Sequence, residues 1–131
     1  MITTETNTAK EQLQKWASAL LTQNSDTVSQ LYAEDATLKP TLDPEHKQNR
    51  AGIKGYFDSF LQKGPQCSLL EDNNLRVRSL SEHLILFTGK YEFTLTQQNN
   101  DVVVADFVFL YHFDQTADKW VILKHSSSLS L

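Results

Sequence analysis

The sequence predicts an α+β domain in which three amphipathic helices precede a bent antiparallel sheet. Up to Gly64, apolar residues recur at helical spacing. After Cys67, apolar residues mostly alternate with polar ones, which is the spacing of β-strands. Helices grouped first and hairpin-linked strands grouped second are typical of the α+β class, with the helices packed on an antiparallel sheet.

The first predicted helix begins near Thr8, because Thr8 and Glu11 have the spacing of a capping box. Its apolar face has the i, i+3, i+4 spacing of a buried stripe and comprises Leu13, Trp16, Ala17, Leu20 and Leu21. Residues 24–26 interrupt this helix and can cap a shorter second one. The inner face of that second helix is predicted to comprise Val28, Leu31 and Tyr32.

The third predicted helix follows a short extended segment at residues 36–38 and a polar loop at residues 40–50. Gly64 and Pro65 end the helix, since glycine just after a helix and proline beyond it are common stop signals. Its apolar face comprises Ile53, Tyr56, Phe57, Phe60 and Leu61.

The strand at residues 102–113 is apolar on both faces, except at Asp106 and His112. It pairs through a hairpin loop with the alternating strand at residues 84–96. A sheet with one face in water should alternate apolar and polar residues, so both faces of this strand are predicted to be covered. Three helices can cover one face. The other face is covered either by a second subunit, the simplest explanation, or by a sheet that curls over its own core.

Length and composition set limits on the function. The 131 residues fit a single domain, residues 1–131, with residues 1–8 expected to be flexible. The net charge of −4 and the scattered lysines and arginines disfavour nucleic acid and membrane surfaces as partners. Cys67 is the only cysteine, and the four histidines lack metal-ligand spacing, so neither a metal nor another cofactor is expected. The N-terminus lacks a signal-peptide pattern, which predicts a cytoplasmic protein unless a leader has been removed.

Five segments, taken in order, resemble a known family: residues 16–20, 31–36, 56–61, 88–93 and 119–128. Together they are similar to bacterial homologues of the association, or hub, domain of calcium/calmodulin-dependent protein kinase II. That family belongs to the nuclear transport factor 2-like superfamily, which also contains ketosteroid isomerase and the polyketide cyclases. The resemblance covers about residues 10–130. It implies a cone-shaped, cystatin-like fold, in which a strongly curved sheet wraps around the helices and a pocket opens at one end.

The same resemblance implies dimers formed through the sheet. It does not imply kinase activity, because the glycine-rich loop and the catalytic motifs of kinases are missing from the sequence. Two positions depart from the family pattern. Ser126 stands where the family often has a second histidine after His125, and Asp106 stands where it often has an arginine. The resemblance implies that this arginine faces the pocket and suits carboxylate ligands, so anion binding at that point is not expected here.

Asp106 is the candidate catalytic residue. A carboxylate between apolar neighbours is costly unless it is neutralised or paired. In a pocket it could serve as the general base found in isomerase members of the superfamily. The alternative, which is preferred, is an ion pair across the sheet with Arg76, Arg78 or Lys124.

The other candidate pocket residues are Tyr32, Tyr56, Tyr91 and His125. The tyrosines are most simply explained as core aromatics whose hydroxyls reach a partner. His125 lies in the tail motif, where its expected role is a hydrogen bond that holds the last strand in place.

These observations predict a non-catalytic domain that forms homodimers or larger homo-oligomers and could also hold a small ligand. The alternative is a small-molecule-binding protein, or an isomerase- or cyclase-like enzyme that uses the cone pocket. A third hypothesis is an accessory domain that binds another protein. The state of Asp106 separates the first two hypotheses, because an ion-paired Asp106 leaves the enzyme without its best base.

Overall fold

The computed structural model describes residues 4–41 and 43–130. The helices are α1 (Thr4–Leu21), α2 (Ser25–Ser29) and α3 (Asn49–Phe60), and α3 runs on into one 3-10 turn, Leu61–Lys63. The strands are β1 (Tyr32–Lys39), β2 (Lys47–Gln48), β3 (Pro65–Leu70), β4 (Arg76–Ser81), β5 (Leu84–Leu95), β6 (Asp101–Asp114) and β7 (Lys119–Leu129).

All seven strands form one sheet in the order β2-β1-β7-β6-β5-β3, and β4 also pairs with β5. The α+β class is confirmed, with the helices packed on a curled sheet. The sheet is mixed, however, because β1 runs parallel to β7, with Leu38 opposite His125. The other strand pairs are antiparallel. Alternation along one strand does not encode the direction of its neighbour, and β1 and β7 lie far apart in sequence.

The helical half differs from the prediction at two boundaries. Helix α1 begins at Thr4, so residues 4–8 are helical where flexibility was expected, and Thr8 is not its cap; residues 1–3 lie outside the described residues. Helix α2 is capped by Asn24, whose Oδ1 accepts a hydrogen bond from the backbone N–H of Asp26 at 2.9 Å. It ends at Ser29, and Tyr32 is the first residue of β1, opposite Ile122 of β7.

The core lies between α1, α3 and the concave face of the sheet. Trp16 of α1 is at its centre, 1% exposed, with Phe57, Tyr91, Phe93, Phe109 and His125 around its ring. Odd-numbered residues of β5 and of the middle of β6 point to this side and are buried. Even-numbered residues of the same strands point outward and are half-buried or exposed. The two faces of the sheet therefore offer two separate candidate sites.

Candidate functional site

The interior of the cone contains a cavity of about 20 Å³, space for about one water molecule. Apolar and aromatic side chains from α1, β1, α3, β5 and β6 form most of its wall. The polar part of the wall consists of Thr41, Tyr56, Tyr91, His125 and Ser127. Within the described part of the chain, no carboxylate, lysine or arginine lines this cavity.

A hydrogen-bond chain begins beside the cavity at Trp16. Its indole Nε1–H donates to the hydroxyl of Tyr32 at 3.1 Å, and that hydroxyl lies 2.8 Å from Nδ1 of His125. An indole N–H only donates, so the Tyr32 oxygen accepts this bond and its own hydrogen is free for Nδ1. We therefore assign Nδ1 of His125 as the acceptor, which places the imidazole proton on Nε2.

The chain continues from His125 toward β1. Nε2 of His125 lies 3.0 Å from the hydroxyl of Tyr91, which donates its hydrogen to Oγ of Ser127 at 2.7 Å. Ser127 is in turn hydrogen-bonded to the hydroxyl of Thr41. Each hydroxyl from Tyr32 to Ser127 can thus accept one hydrogen bond and donate the next, which satisfies these buried polar groups.

The titratable groups of this hydrogen-bond chain, His125, Tyr32 and Tyr91, are neutral near pH 7. Burial lowers the pKa of His125 to about 3, because desolvation penalises the imidazolium ion. Burial likewise raises the pKa of Tyr32 and Tyr91 well above the usual tyrosine value. An imidazole with so low a pKa is a poor general base near pH 7.

The structure separates the predicted pocket residues into three groups. Tyr56, Tyr91 and His125 line the cavity, and burial raises the pKa of Tyr56. Tyr32 lies one hydrogen bond behind His125 and does not line the cavity. Asp106 lies on the opposite face of the sheet, so the prediction that it lines the pocket is wrong.

Asp106 pairs with Lys90, not with any of the three cations named from the sequence. Nζ of Lys90 lies 2.7 Å from Oδ1 of Asp106, and the side chains are 24% and 51% exposed. The register of the β5–β6 hairpin explains the pair. Leu95 lies opposite Asp101, so the residues five positions away from this point on each strand, Lys90 and Asp106, also lie opposite each other. The family arginine implied at this position would likewise point away from this cavity. The outward direction of Asp106 could have been predicted from the alternation of β6, but the pairing with Lys90 depends on the exact register of the hairpin.

Ser127 and Thr41 are two site residues that were not predicted from the sequence. Ser127 is buried on the inner face, two residues after His125 on β7, and faces Phe107 across the sheet. The alternation of β7 could have indicated Ser127. Thr41 has no sequence signal of this kind, since it follows β1 and meets Ser127 only through tertiary packing.

The second candidate site is the outer face of the sheet. The outward residues of β6 form an apolar strip, here called the β6 stripe, which comprises Val102, Val104, Val108 and Leu110. Val102 is 58% exposed, and the other three are half-buried. Leu84 and Leu86 of β5 extend the apolar surface on one side, and the Lys90–Asp106 ion pair crosses its middle.

Residues 4–41 and 43–130 contain neither a metal-binding cluster nor a membrane-spanning helix. Their histidine, cysteine, aspartate and glutamate side chains form no group of three or more that could hold a metal ion. None of the helices in these ranges combines the length and the apolar character needed to cross a membrane.

The cone of curled sheet and helices is shared by many solved structures and defines the class of the protein. A nuclear transport factor 2-like protein of unknown function from Shewanella oneidensis superposes with a TM-score of 0.73 at 16% identity, over 94% of this chain and 98% of that one. An uncharacterized protein with a cystatin-like fold from Caulobacter vibrioides gives a TM-score of 0.78 at 12% identity, over 97% of this chain and 90% of that one. At these identities the likeness shows the fold alone.

The chain belongs to the calcium/calmodulin-dependent protein kinase II association domain family, whose model matches residues 7–130. A solved structure assigned to such an association domain, from Xanthomonas campestris, is 34% identical and has a TM-score of 0.88. The similarity covers 98% of this chain and 89% of that one. No curated protein matches the chain by sequence.

Proposed function

We propose that this single domain is a non-catalytic association module that forms homodimers through the outer face of its sheet. The β6 stripe carries the proposal. Its inward neighbours Phe107 and Phe109 are buried in the core beside the helices, whereas Val102, Val104 and Leu110 remain partly exposed. The strip is interrupted at its centre by the Lys90–Asp106 ion pair, and exposed apolar surface on a sheet face marks a candidate protein interface.

Two-fold symmetry offers the simplest way to cover the stripe. In a two-fold dimer the same patch is used on both subunits, so each apolar strip is covered by its own copy. The ion pair of Lys90 with Asp106 supports this use of the face, because it leaves neither charge in the middle of the patch uncompensated. Membership of the association domain family supports the same role.

The interior supports the non-catalytic part of the proposal. Ligands of drug size need about 300–1,000 Å³, far more than the cavity of about 20 Å³. In the described chain its wall carries no carboxylate that could act as a general base, and the pKa of His125 is too low for that role. The hydrogen-bond chain has a structural role here, because it satisfies buried polar groups and ties β7 to β1 and β5.

Light scattering on the purified chain tests the assembly. We expect a mass of at least twice the sequence value of 14.9 kDa at micromolar concentration. Leu110→Lys should yield monomers, because it places a cation in the β6 stripe, opposite Lys124 of the neighbouring strand. Leu21→Lys is the matched control, since Leu21 is a 60% exposed leucine on α1, and this variant should keep the mass of the unmodified protein.

Two results would overturn the proposal. A mass near 14.9 kDa for the unmodified chain would exclude a stable dimer under these conditions. An intact dimer in Leu110→Lys would show that another surface is used. Far-ultraviolet circular dichroism of both variants separates loss of assembly from loss of fold.

A further inference from the structure

A second feature of the outer surface is a concave cleft where β1 and β7 run parallel. The register places Gln48, Thr37 and Lys124 side by side across β2, β1 and β7. In the next row, Lys39 of β1 lies beside Ser126 of β7. These side chains line a cleft of about 250 Å³ together with His46, which lies in the loop before β2.

Lys39 and Lys124 bring two positive charges to this cleft. Strand geometry puts their Cα atoms about 8 Å apart, close enough for both long side chains to reach one small group. Lys39 makes only a long contact of 3.5 Å with the carbonyl oxygen of Ser127. Among the described residues neither lysine forms an ion pair, and no carboxylate lines the cleft.

The cleft brings two of the nine lysines together in a chain with a net charge of −4. Among the described residues, Lys10, Lys47, Lys54 and Lys90 each have a carboxylate partner, whereas Lys15, Lys63 and Lys119, like the two lysines of the cleft, form no ion pair. The register places Lys39 and Lys124 on a diagonal of the β1–β7 pair, where one bound anion can contact both ammonium groups. The hydroxyls of Thr37 and Ser126 and the amide of Gln48 add neutral hydrogen-bond donors on the same surface.

We propose that the cleft is a binding site for a small polyvalent oxyanion, of the phosphate or pyrophosphate type. Lys39 and Lys124 would supply charge-assisted hydrogen bonds, with Thr37, Gln48 and Ser126 donating to the remaining oxygens. A polyvalent anion matches two lysines better than a single carboxylate does, because it carries more than one charge and several acceptor oxygens. All residues of the site come from one chain, but Lys124 and Ser126 lie opposite Leu110 and Val108, so the cleft borders the proposed dimer interface.

Isothermal titration calorimetry with inorganic pyrophosphate tests the site, with sodium chloride added to keep the ionic strength constant. We expect one pyrophosphate per chain, and a Kd that rises at least about tenfold in Lys39→Gln and in Lys124→Gln. Lys124→Arg should restore most of the affinity. Lys119→Gln is the matched control: Lys119 is an exposed lysine on the same strand and outside the cleft, so Kd should stay within about twofold.

Titration with a nucleoside diphosphate shows whether the site prefers a free inorganic phosphate or an organic phosphate. Equal affinity for both probes assigns a free phosphate, whereas tighter binding of the nucleotide assigns an organic phosphate. Absence of pyrophosphate and nucleotide binding would overturn the proposal. Equal weakening by Lys119→Gln and Lys124→Gln would also overturn it, because binding would then follow net charge. Light scattering on the same samples measures the mass of the assembly. A failure to bind the anion can therefore be distinguished from a failure to form the dimer.

Discussion

Lys90 and Asp106 face each other across the β5–β6 pair on the outer surface of the sheet, with Nζ 2.7 Å from Oδ1. The same ammonium group donates a second hydrogen bond to Oγ of Ser130 at 2.6 Å. In the single chain both side chains remain partly in water, so solvent screens their attraction. Asp106 therefore lies on the face opposite the cone cavity, in the middle of the proposed interface.

Asp106→Asn should lower the free energy of unfolding of the protomer by less than about 1 kcal/mol, the usual range for exposed ion pairs. Urea unfolding at low protein concentration measures this loss. Glu92→Gln is the control, since Glu92 is the next outward residue of β5 after Lys90. In the proposed dimer the same pair is desolvated, so the loss should grow with protein concentration. A loss of about 3 kcal/mol at every concentration would contradict an exposed pair.

The buried His125 should make the protein sensitive to acid. Its pKa of about 3 in the folded chain lies below the usual value of 6.5, so the unfolded chain binds the proton first as the pH falls. Its contribution to stability is complete above pH 6.5 and is lost between pH 6.5 and about 3, with about 2–3 kcal/mol gone at pH 4.5.

Unfolding in urea from pH 7 to pH 4.5 measures that loss. His125→Gln should show a flatter dependence on pH than the unmodified protein, whatever its absolute stability. Equal slopes for the two proteins would show that His125 is not the group responsible.

Trp16→Ala should be among the most destabilising single substitutions, by about 3–5 kcal/mol, because it empties the centre of the aromatic core. Trp120→Ala should cost at least about 1 kcal/mol less. Trp120 is half-buried at the start of β7, and its ring packs edge-on against Phe113. Chemical denaturation of the two variants gives the comparison, and the opposite ranking would mean that Trp120 is the better packed residue.

Two glycines should respond to alanine in opposite directions. Gly64 has φ +64°, and a Cβ added there would collide with Oγ1 of Thr96, so Gly64→Ala should destabilise the fold by about 1–3 kcal/mol. Gly55 lies in α3, where an added Cβ would point into open space, so Gly55→Ala should stabilise the fold by about 0.5–1 kcal/mol. Thermal unfolding measures both, and shifts of the same sign would contradict this account.

Local patterns in the sequence were sufficient for the helices and the long strands. The apolar stripe around Trp16, the stop at Gly64 and the alternation of β5 each follow from the local geometry of a helix, a turn or a strand. The same alternation separates the β6 stripe from the buried side of β6, because side chains on a strand point to opposite faces. These features depend on neighbours a few residues away.

Only the tertiary structure decided which distant residues meet. The parallel pairing of β1 with β7, the hydrogen bonds of His125 to Tyr32 and Tyr91, and the cleft between Lys39 and Lys124 join segments that are 34 to 93 residues apart. Such contacts depend on how the sheet curls around α1 and α3, and the periodicity of a single strand carries no information about its partner. For this protein the sequence determined which elements form and which way their side chains point. The packing of the elements determined which residues surround His125 in the core and which residue lies opposite Asp106 on the surface.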